Sequence, residues 1–395
     1  MLNIREICKD IIYVGVDDRT TTRFEGLWSL PNGVSYNSYI VRDEKTALID
    51  TVELGKTSHL LANLRDVIGE GGIDYLVVNH MEPDHSGGIP VIMNAYPKCK
   101  IVGNKQTLAM VKGYYGIDNP DRLLEVADGS TLSLGEKTLK FILTPMVHWP
   151  ETMMTYCEDR NVLFSGDAFG TFGVLNGAVT DKEGDITTAI SEMYRYYACI
   201  VAKYGKFVQR ALAKASGLAI DYICSTHGPV WDTMITEVIG IYDRLSRGES
   251  EKGVTIIYGS MYGNTQAIAE RIASRLAESG IKEVHVHNAS YTDMSVMISD
   301  AYRYKGLIVG APTYSMTLFP PVDTFMRAMV TREVKDKAFG SFGSFTWAAA
   351  SRKIINEYAD NLGWPVLAGF DMKMSADEET LAQADLLAKA IADAL

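Results

Sequence analysis

The stretch that most constrains what this chain can fold into is His80-Met81-Glu82-Pro83-Asp84-His85, which follows the apolar run Tyr75-Leu76-Val77-Val78 and precedes Gly87-Gly88. Two imidazoles and two carboxylates this close would scatter around a helix. On a loop leaving a strand, an alternating His80, Glu82 and Asp84 set can converge on one point. The chain must therefore end a buried strand beside a polar site. Imidazole nitrogen and carboxylate oxygen, with no thiolate, suit iron, manganese or zinc rather than copper(I) or an iron–sulfur cluster. Taken alone, the stretch also reads as a polar turn whose Asp84 caps the next helix, with solvated histidines.

Three later segments repeat the pattern. Leu139-Lys140-Phe141-Ile142-Leu143 leads to Pro145-Met146-Val147-His148, Asn161-Val162-Leu163-Phe164-Ser165 to Gly166-Asp167, and Tyr222-Ile223-Cys224-Ser225 to Thr226-His227-Gly228. Each apolar run ends in a His or Asp a few residues on, where a sheet would fix the loop that carries it. His148, Asp167 or His227 alone reads as an ordinary loop or turn residue. With His80, Glu82, Asp84 and His85 they make seven donors, too many for one tetrahedral ion and about right for two ions sharing a carboxylate. His59, His285 and His287 fall on a predicted helix and strand and read as structural.

The 395 residues suffice for two or three domains, and 47% hydrophobic with 22% charged residues is ordinary for a globular protein. The formal net charge of -11 argues against nucleic acid or an anionic membrane as partner. No apolar run reaches membrane-spanning length and the start lacks a signal-peptide core, so a cytoplasmic protein is expected. Five cysteines without a C-x-x-C pair exclude a disulfide framework, a thiolate metal site and an internal rubredoxin-like module. Cys157, Cys199 and Cys224 read as small core residues.

Short apolar runs at 11–14, 38–41, 46–50 and 75–78 predict strands, and Leu60, Leu61, Leu64 and Ile68 predict a helix over 59–68 that stops at Gly69. The polar stretch 246–253 reads as a linker, which gives domains at 1–248 and 253–395. Beyond it, strands are predicted at 254–258, 283–287, 306–310, 338–342 and 366–370. A helix runs to about Glu278 with Ile268, Ile272 and Leu276 on one face, and Ser375 with Glu378 forms a capping box for the last helix. Five alternating units predict an open, doubly wound parallel sheet.

The loop after the first of these strands, Gly259-Ser260-Met261-Tyr262-Gly263-Asn264-Thr265, offers backbone N–H groups, two hydroxyls and a helix N-terminus to a phosphate. It lacks the lysine of a nucleoside-triphosphate loop and the Gly-x-Gly-x-x-Gly of a dinucleotide site. A monophosphate such as that of FMN fits. Pro312, Thr313 and Tyr314, with Ser344, Phe345 and Trp347, lie on later strand-end loops and place aromatics where a flavin ring stacks.

These residues resemble the flavodiiron proteins. The first part resembles a metallo-β-lactamase domain in which His-x-His-x-Asp-His has become His80-x-Glu82-x-Asp84-His85, and the second resembles a flavodoxin. The resemblance implies an αββα sandwich followed by a doubly wound parallel sheet, and an oxidoreductase that takes dioxygen to water or nitric oxide to nitrous oxide. It implies one iron at His80, Glu82 and His148, a second at Asp84, His85 and His227, and Asp167 bridging. The flavin contacts would be Ser260, Met261, Gly263, Asn264, Thr265, Pro312, Thr313, Tyr314, Ser344, Phe345 and Trp347. It also implies Tyr197 near the metals as a hydrogen-bond donor, a separate rubredoxin or reduced deazaflavin as electron source, and a head-to-tail homodimer or tetramer. Glu25 stands where some members carry histidine, and Thr346 replaces the glycine of a common flavin loop. Rival readings are a zinc-dependent hydrolase fused to a flavodoxin and an electron carrier with a vestigial front domain. Glu82 counts against the first and the full set of seven donors against the second.

Overall fold

The computed structural model describes residues 4–395. The chain through Tyr197, with Tyr204–Ser246, forms one compact unit, and Ala198–Lys203 with Arg247–Leu395 forms another.

The first unit is two sheets face to face. One runs in the order Arg5–Cys8, Ile11–Tyr13, Tyr39–Val41, Ala47–Ile49, Tyr75–Val77, Lys100–Gly103, Leu123–Glu125. Its pairs are antiparallel up to Ala47–Ile49 and parallel from there on. The other runs Thr131–Ser133, Thr138–Leu143, Met153–Cys157, Val162–Gly166, Tyr222–Ser225, with only the last pair parallel. Strand alternation decides which residues meet between the sheets. Tyr39, Val41, Ile49 and Val77 from the first pack with Phe141, Met153, Phe164 and Cys224 from the second in one apolar core. Thr57–Ile68 covers the outside of the first sheet, burying Leu60 and Leu64, and its Asn63 amide donates to the Val14 and Gly15 carbonyls. Gly205–Ala215 and Ile235–Ser246 bury Val208, Ala211, Val238 and Ile241. Helix, sheet, sheet and helix make an αββα sandwich. Deleting one ring from such a core, as in Phe141→Ala, costs about 3–5 kcal/mol.

The second unit is a parallel sheet in the order Val284–Asn288, Glu251–Tyr258, Tyr304–Tyr314, Ala338–Phe345, Val366–Lys373. Numbered along the chain this is 2-1-3-4-5, the doubly wound order of a flavodoxin. Asn264–Glu278 and Glu378–Asp393 bury Ile268, Ile272, Leu387 and Ile391 against one face. Gly310 is required because a Cβ there would overlap the Phe342 ring. Two local expectations are corrected. The strand begins at Glu251, so 251–253 is not linker, because pairing with Tyr304 outweighs the polar composition. The last helix is capped by the Asp377 carboxylate, which accepts from the Thr380 N–H, rather than by Ser375 with Glu378. No helix among the described residues is long and apolar enough to cross a membrane.

Lys337 is 2% exposed and its ammonium donates to Ser250 Oγ (2.9 Å) and to the carbonyls of Tyr302 (3.1 Å) and Tyr304 (2.7 Å). Burial, then Lys305, pulls its pKa down to about 7. Between that value and about 10.4 the unfolded chain binds a proton that the folded chain does not, so this residue's contribution to stability grows with pH across that range. Lys337→Met is expected to destabilise by about 1–3 kcal/mol at neutral pH by leaving carbonyls unpaired. The deficit should widen towards pH 10. Urea unfolding of both proteins at the two pH values measures it, and a gap that stays constant refutes the assignment.

Candidate functional site

Strand ends deliver every donor predicted for the metals. His80 leaves the Tyr75–Val77 strand, and Glu82 precedes a one-turn helix, Pro83–Ser86, whose Pro83 has the φ that a first helical position needs. That turn lifts Asp84 and His85 out of the strand's alternation and sends them to a second point. His148 follows the Thr138–Leu143 strand. Asp167 and His227 emerge side by side because Val162–Gly166 pairs in parallel with Tyr222–Ser225. All but Asp84 are buried, and Asp84 is half-buried.

The donors form two groups, His80, Glu82, His148 and Asp167 in one, Asp84, His85 and His227 in the other. Glu82 Oε2 lies 2.9 Å from His148 Nε2 and 3.3 Å from His80 Nε2. Asp84 Oδ2 lies 3.2 Å from both His85 Nε2 and His227 Nε2. Asp167 faces both groups. Its Oδ2 is 3.0 Å from His148 Nε2 and its Oδ1 is 3.0 Å from His85 Nε2. The Oδ1 also accepts from the Thr226 hydroxyl at 2.6 Å.

The side chains fit cations. His227 Nδ1 is 2.7 Å from the Ser35 carbonyl, which only accepts, so Nδ1 carries the proton and Nε2 turns a lone pair towards Asp84. His80 does the same through Glu151, whose Oε1 is 3.1 Å from Nδ1 and accepts from the Met81 N–H at 2.9 Å. Lone pairs facing carboxylates repel unless a positive charge lies between them. Both Asp84 oxygens, His85 Nε2 and His227 Nε2 are buried without a hydrogen-bond partner among the described residues. The local electrostatics point the same way. Burial opposes charging His85 and His148, but Asp84 and Asp167 for the first, and Asp167 and Glu82 for the second, push both up to about 9. The histidines hold the Asp167 carboxyl well below its usual range despite burial.

Backbone supports fix these positions. Thr51 donates to the His85 carbonyl from its N–H at 2.9 Å and from its hydroxyl. The Asn37 amide donates to the Ser225 and Gly228 carbonyls at 2.9 and 2.8 Å, holding the His227 turn from both sides. Gly228 has φ +78°, and a Cβ there would overlap Thr171. No local sequence pattern marks Glu151, Thr226 or Asn37 as part of the site, because each acts through another residue's side chain or backbone.

One expectation is corrected. Tyr196, not Tyr197, turns its ring to the metal groups, 5.6 Å from the His227 ring. Burial and then Asp167, Glu82 and Asp84 push its pKa well above the usual value. Tyr197 packs edge-on against Tyr242 at 5.0 Å. Neighbouring helical residues point about 100° apart, so only one of the two can face the site. Glu25 holds the indole N–H of Trp28 at 3.0 Å, and burial and then Glu82 push its carboxyl up to about 7.

In the second unit a pocket of about 150 Å³ opens at the carboxyl ends of the parallel strands. Ser260, Met261, Asn264, Thr265, Pro312, Thr313, Ser344, Phe345 and Trp347 line it, joined by Thr346. Gly263 and Tyr314 are not in its wall. Gly263 instead supplies the left-handed turn (φ +94°) into the helix, its N–H donating to Ser260 Oγ, and Tyr314 packs edge-on against Phe319. Tyr262, Ser315, Met316, Ala348 and Met374 complete the pocket and went unpredicted. Met374 follows the fifth strand, where a doubly wound sheet's ligand loops also lie. Hydroxyls, a helix N-terminus and exposed aromatics fit a phosphorylated flavin.

Residues 34–228 match the ODP family beta lactamase and residues 256–388 the flavodoxin family. The anaerobic nitric oxide reductase flavorubredoxin of Escherichia coli O1:K1 is 31% identical over 378 residues, covering 94% of this chain and 78% of that protein. This chain belongs to the flavodiiron proteins. Its fold matches the Desulfovibrio gigas rubredoxin oxygen:oxidoreductase with a TM-score of 0.93 at 29% identity, covering 99% of this chain and 98% of that one. It matches the Giardia intestinalis flavodiiron protein with a TM-score of 0.94 at 28% identity, covering 99% and 96%. The flavodiiron chain is an oxidoreductase, its flavodoxin domain binds FMN, and its first domain carries a donor cluster suited to the family's diiron site.

Gly228→Ala tests the second metal position. The alanine meets a left-handed backbone costing about 1–2 kcal/mol and an overlap with Thr171. His227 should move and this flavodiiron variant should hold about one metal ion per chain, against about two in the parent. Metal analysis of both decides it, and two ions retained in the variant refutes the placement.

Proposed function

We propose that this protein reduces dioxygen to water or nitric oxide to nitrous oxide, with His80, Glu82 and His148 holding one iron, Asp84, His85 and His227 the other, and Asp167 between them. The observation that carries the reading is Asp167, whose two oxygens each lie 3.0 Å from a histidine of a different group. When bound, FMN and two irons supply the four electrons that one dioxygen needs, or the two that couple a pair of nitric oxides.

Asp167 sets the distance between the positions, which favours a reaction joining two diatomics or splitting one. Tyr196 lies within the same buried space, and its hydroxyl has no hydrogen-bond partner among the described residues. Its raised pKa keeps it an O–H donor towards a substrate oxygen. The sandwich around it excludes bulk water.

Rubredoxin is the proposed electron donor, supported by the names of the relatives, with reduced deazaflavin as the other source. We also propose a head-to-tail homodimer or tetramer. Tyr262, Trp347, Met316 and Met374 around the flavin pocket are 93%, 87%, 60% and 55% exposed, an apolar rim that a second copy would cover.

Protein purified without air should contain about two irons and one FMN per chain and, once reduced, consume dioxygen or nitric oxide rapidly. The ratio of the two rates assigns the preferred gas. Zinc in place of iron with no gas turnover rejects the proposal. Sedimentation should show a dimer or tetramer, and a monomer at working concentration rejects the head-to-tail arrangement.

A further inference from the structure

Glu151 is a buried carboxylate that the proposed chemistry does not use. It is 1% exposed, its Oε1 receives His80 Nδ1–H and the Met81 N–H, and its Oε2 has no hydrogen-bond partner among the described residues. Asn104 anchors it, donating from its amide to the Glu151 carbonyl while its own Oδ1 caps the Lys105–Tyr115 helix. Burying a charge this deeply is costly unless something nearby needs it.

The other metal group has no equivalent. His227 Nδ1–H meets a neutral carbonyl, that of Ser35, and His85 Nδ1 has no partner among the described residues. A carboxylate on the far side of an imidazole draws its N–H proton and makes the opposite nitrogen a stronger donor. A carbonyl does so far less. The His80 group therefore carries Glu82 and, through His80, Glu151. The His85 group carries Asp84, the buried Asp50 near His85 is engaged by the Asn79 N–H and amide rather than by an imidazole N–H, and the two groups share Asp167.

We infer that Glu151 is a positioning residue that makes the two metal sites electronically unequal, so that the ion held by His80, Glu82 and His148 favours the ferric state more than its neighbour does. The inference rests on the reading that both positions hold iron. In the one-electron step, ferrous ion becomes ferric and the electron leaves for a dissolved one-electron mediator. Negative charge near the ion stabilises the higher oxidation state. The iron beside His80 is then first to be oxidised and last to be reduced.

The test is an anaerobic, mediated redox titration of the iron- and FMN-loaded protein, followed by EPR and Mössbauer spectra. The parent should lose its iron electrons in two separated steps. Glu151→Gln keeps the shape and the acceptor but removes the charge. It should cut the ferric preference of the first iron about tenfold, moving its potential up by about 59 mV, with the second step unmoved. Glu151→Asp should restore most of the difference, which a merely structural role would not. Unsplit steps in the parent, or equal shifts of both steps in Glu151→Gln, overturn the inference.

Should Glu151→Gln fail to load iron, the parent with zinc in both positions serves. Its His80 Nδ1–H should resonate downfield of that of His227 by NMR, and equal shifts overturn the inference. A parent that takes up no pair of irons rejects the diiron reading itself, whereas two irons of equal potential reject only the role of Glu151.

Discussion

The architecture of the first domain turns on holding Glu82, Asp84 and Asp167 beside one another. Carboxylates at these separations repel strongly when water is excluded, and the histidines hold Glu82 and Asp167 well below the usual carboxylate range despite burial. Protonated imidazole supplies part of the compensating positive charge, which is why His85 and His148 are pushed up to about 9. Against burial, Asp167, Glu151 and Glu82 push His80 the same way, well above the ordinary imidazole value. The Nδ1 atoms of His80 and His227 are turned to Glu151 and Ser35, so that Nε2 of each faces the carboxylates. Divalent or trivalent cations satisfy carboxylates and imidazoles at once, and the site's geometry follows from that requirement.

Holding such a cluster together without its ions calls for rigid mounts. The core between the sheets, from Tyr39 and Val77 to Phe141 and Phe164, fixes the strands, and the strands fix where each loop starts. Short backbone devices do the rest. The single helical turn after Glu82 splits a continuous sequence motif between two metal positions. The left-handed Gly228 lets His227 turn back while Asn37 holds both flanking carbonyls. Each device is local, but none could place its side chain within a few tenths of an ångström without the sandwich behind it.

The repeated pattern of an apolar run followed by His or Asp made both the strands and the seven donors legible before any coordinates, since period and residue type carry that information. The 2-1-3-4-5 sheet was legible for the same reason, as five alternating units. Three kinds of feature were hidden. Glu151 acts through another residue's far side, so no spacing announces it. Tyr196 and Tyr197 are adjacent tyrosines, and the choice between them depends on the rotation of their helix, which is set by packing against Phe172 and Tyr242. The strand start at Glu251 is fixed by pairing with Tyr304 across 53 positions of sequence, against a composition that favours a loop.

The two sites solve opposite electrostatic problems within a chain of net charge -11. The metal cluster concentrates negative charge and demands cations. The flavin pocket must hold a phosphate anion, yet among the described residues its walls contain no lysine or arginine. Oriented neutral groups suffice there: the N–H groups at the start of Asn264–Glu278 and the hydroxyls of Ser260, Thr265 and Ser344 present partial positive charge without a counter-ion that would need its own partner. A flavin ring that gains and loses electrons sits best among such groups, because a fixed full charge beside it would bias one oxidation state. By the same reasoning a fixed charge belongs at the metal cluster, where bias between two otherwise similar positions decides which one gives up its electron first.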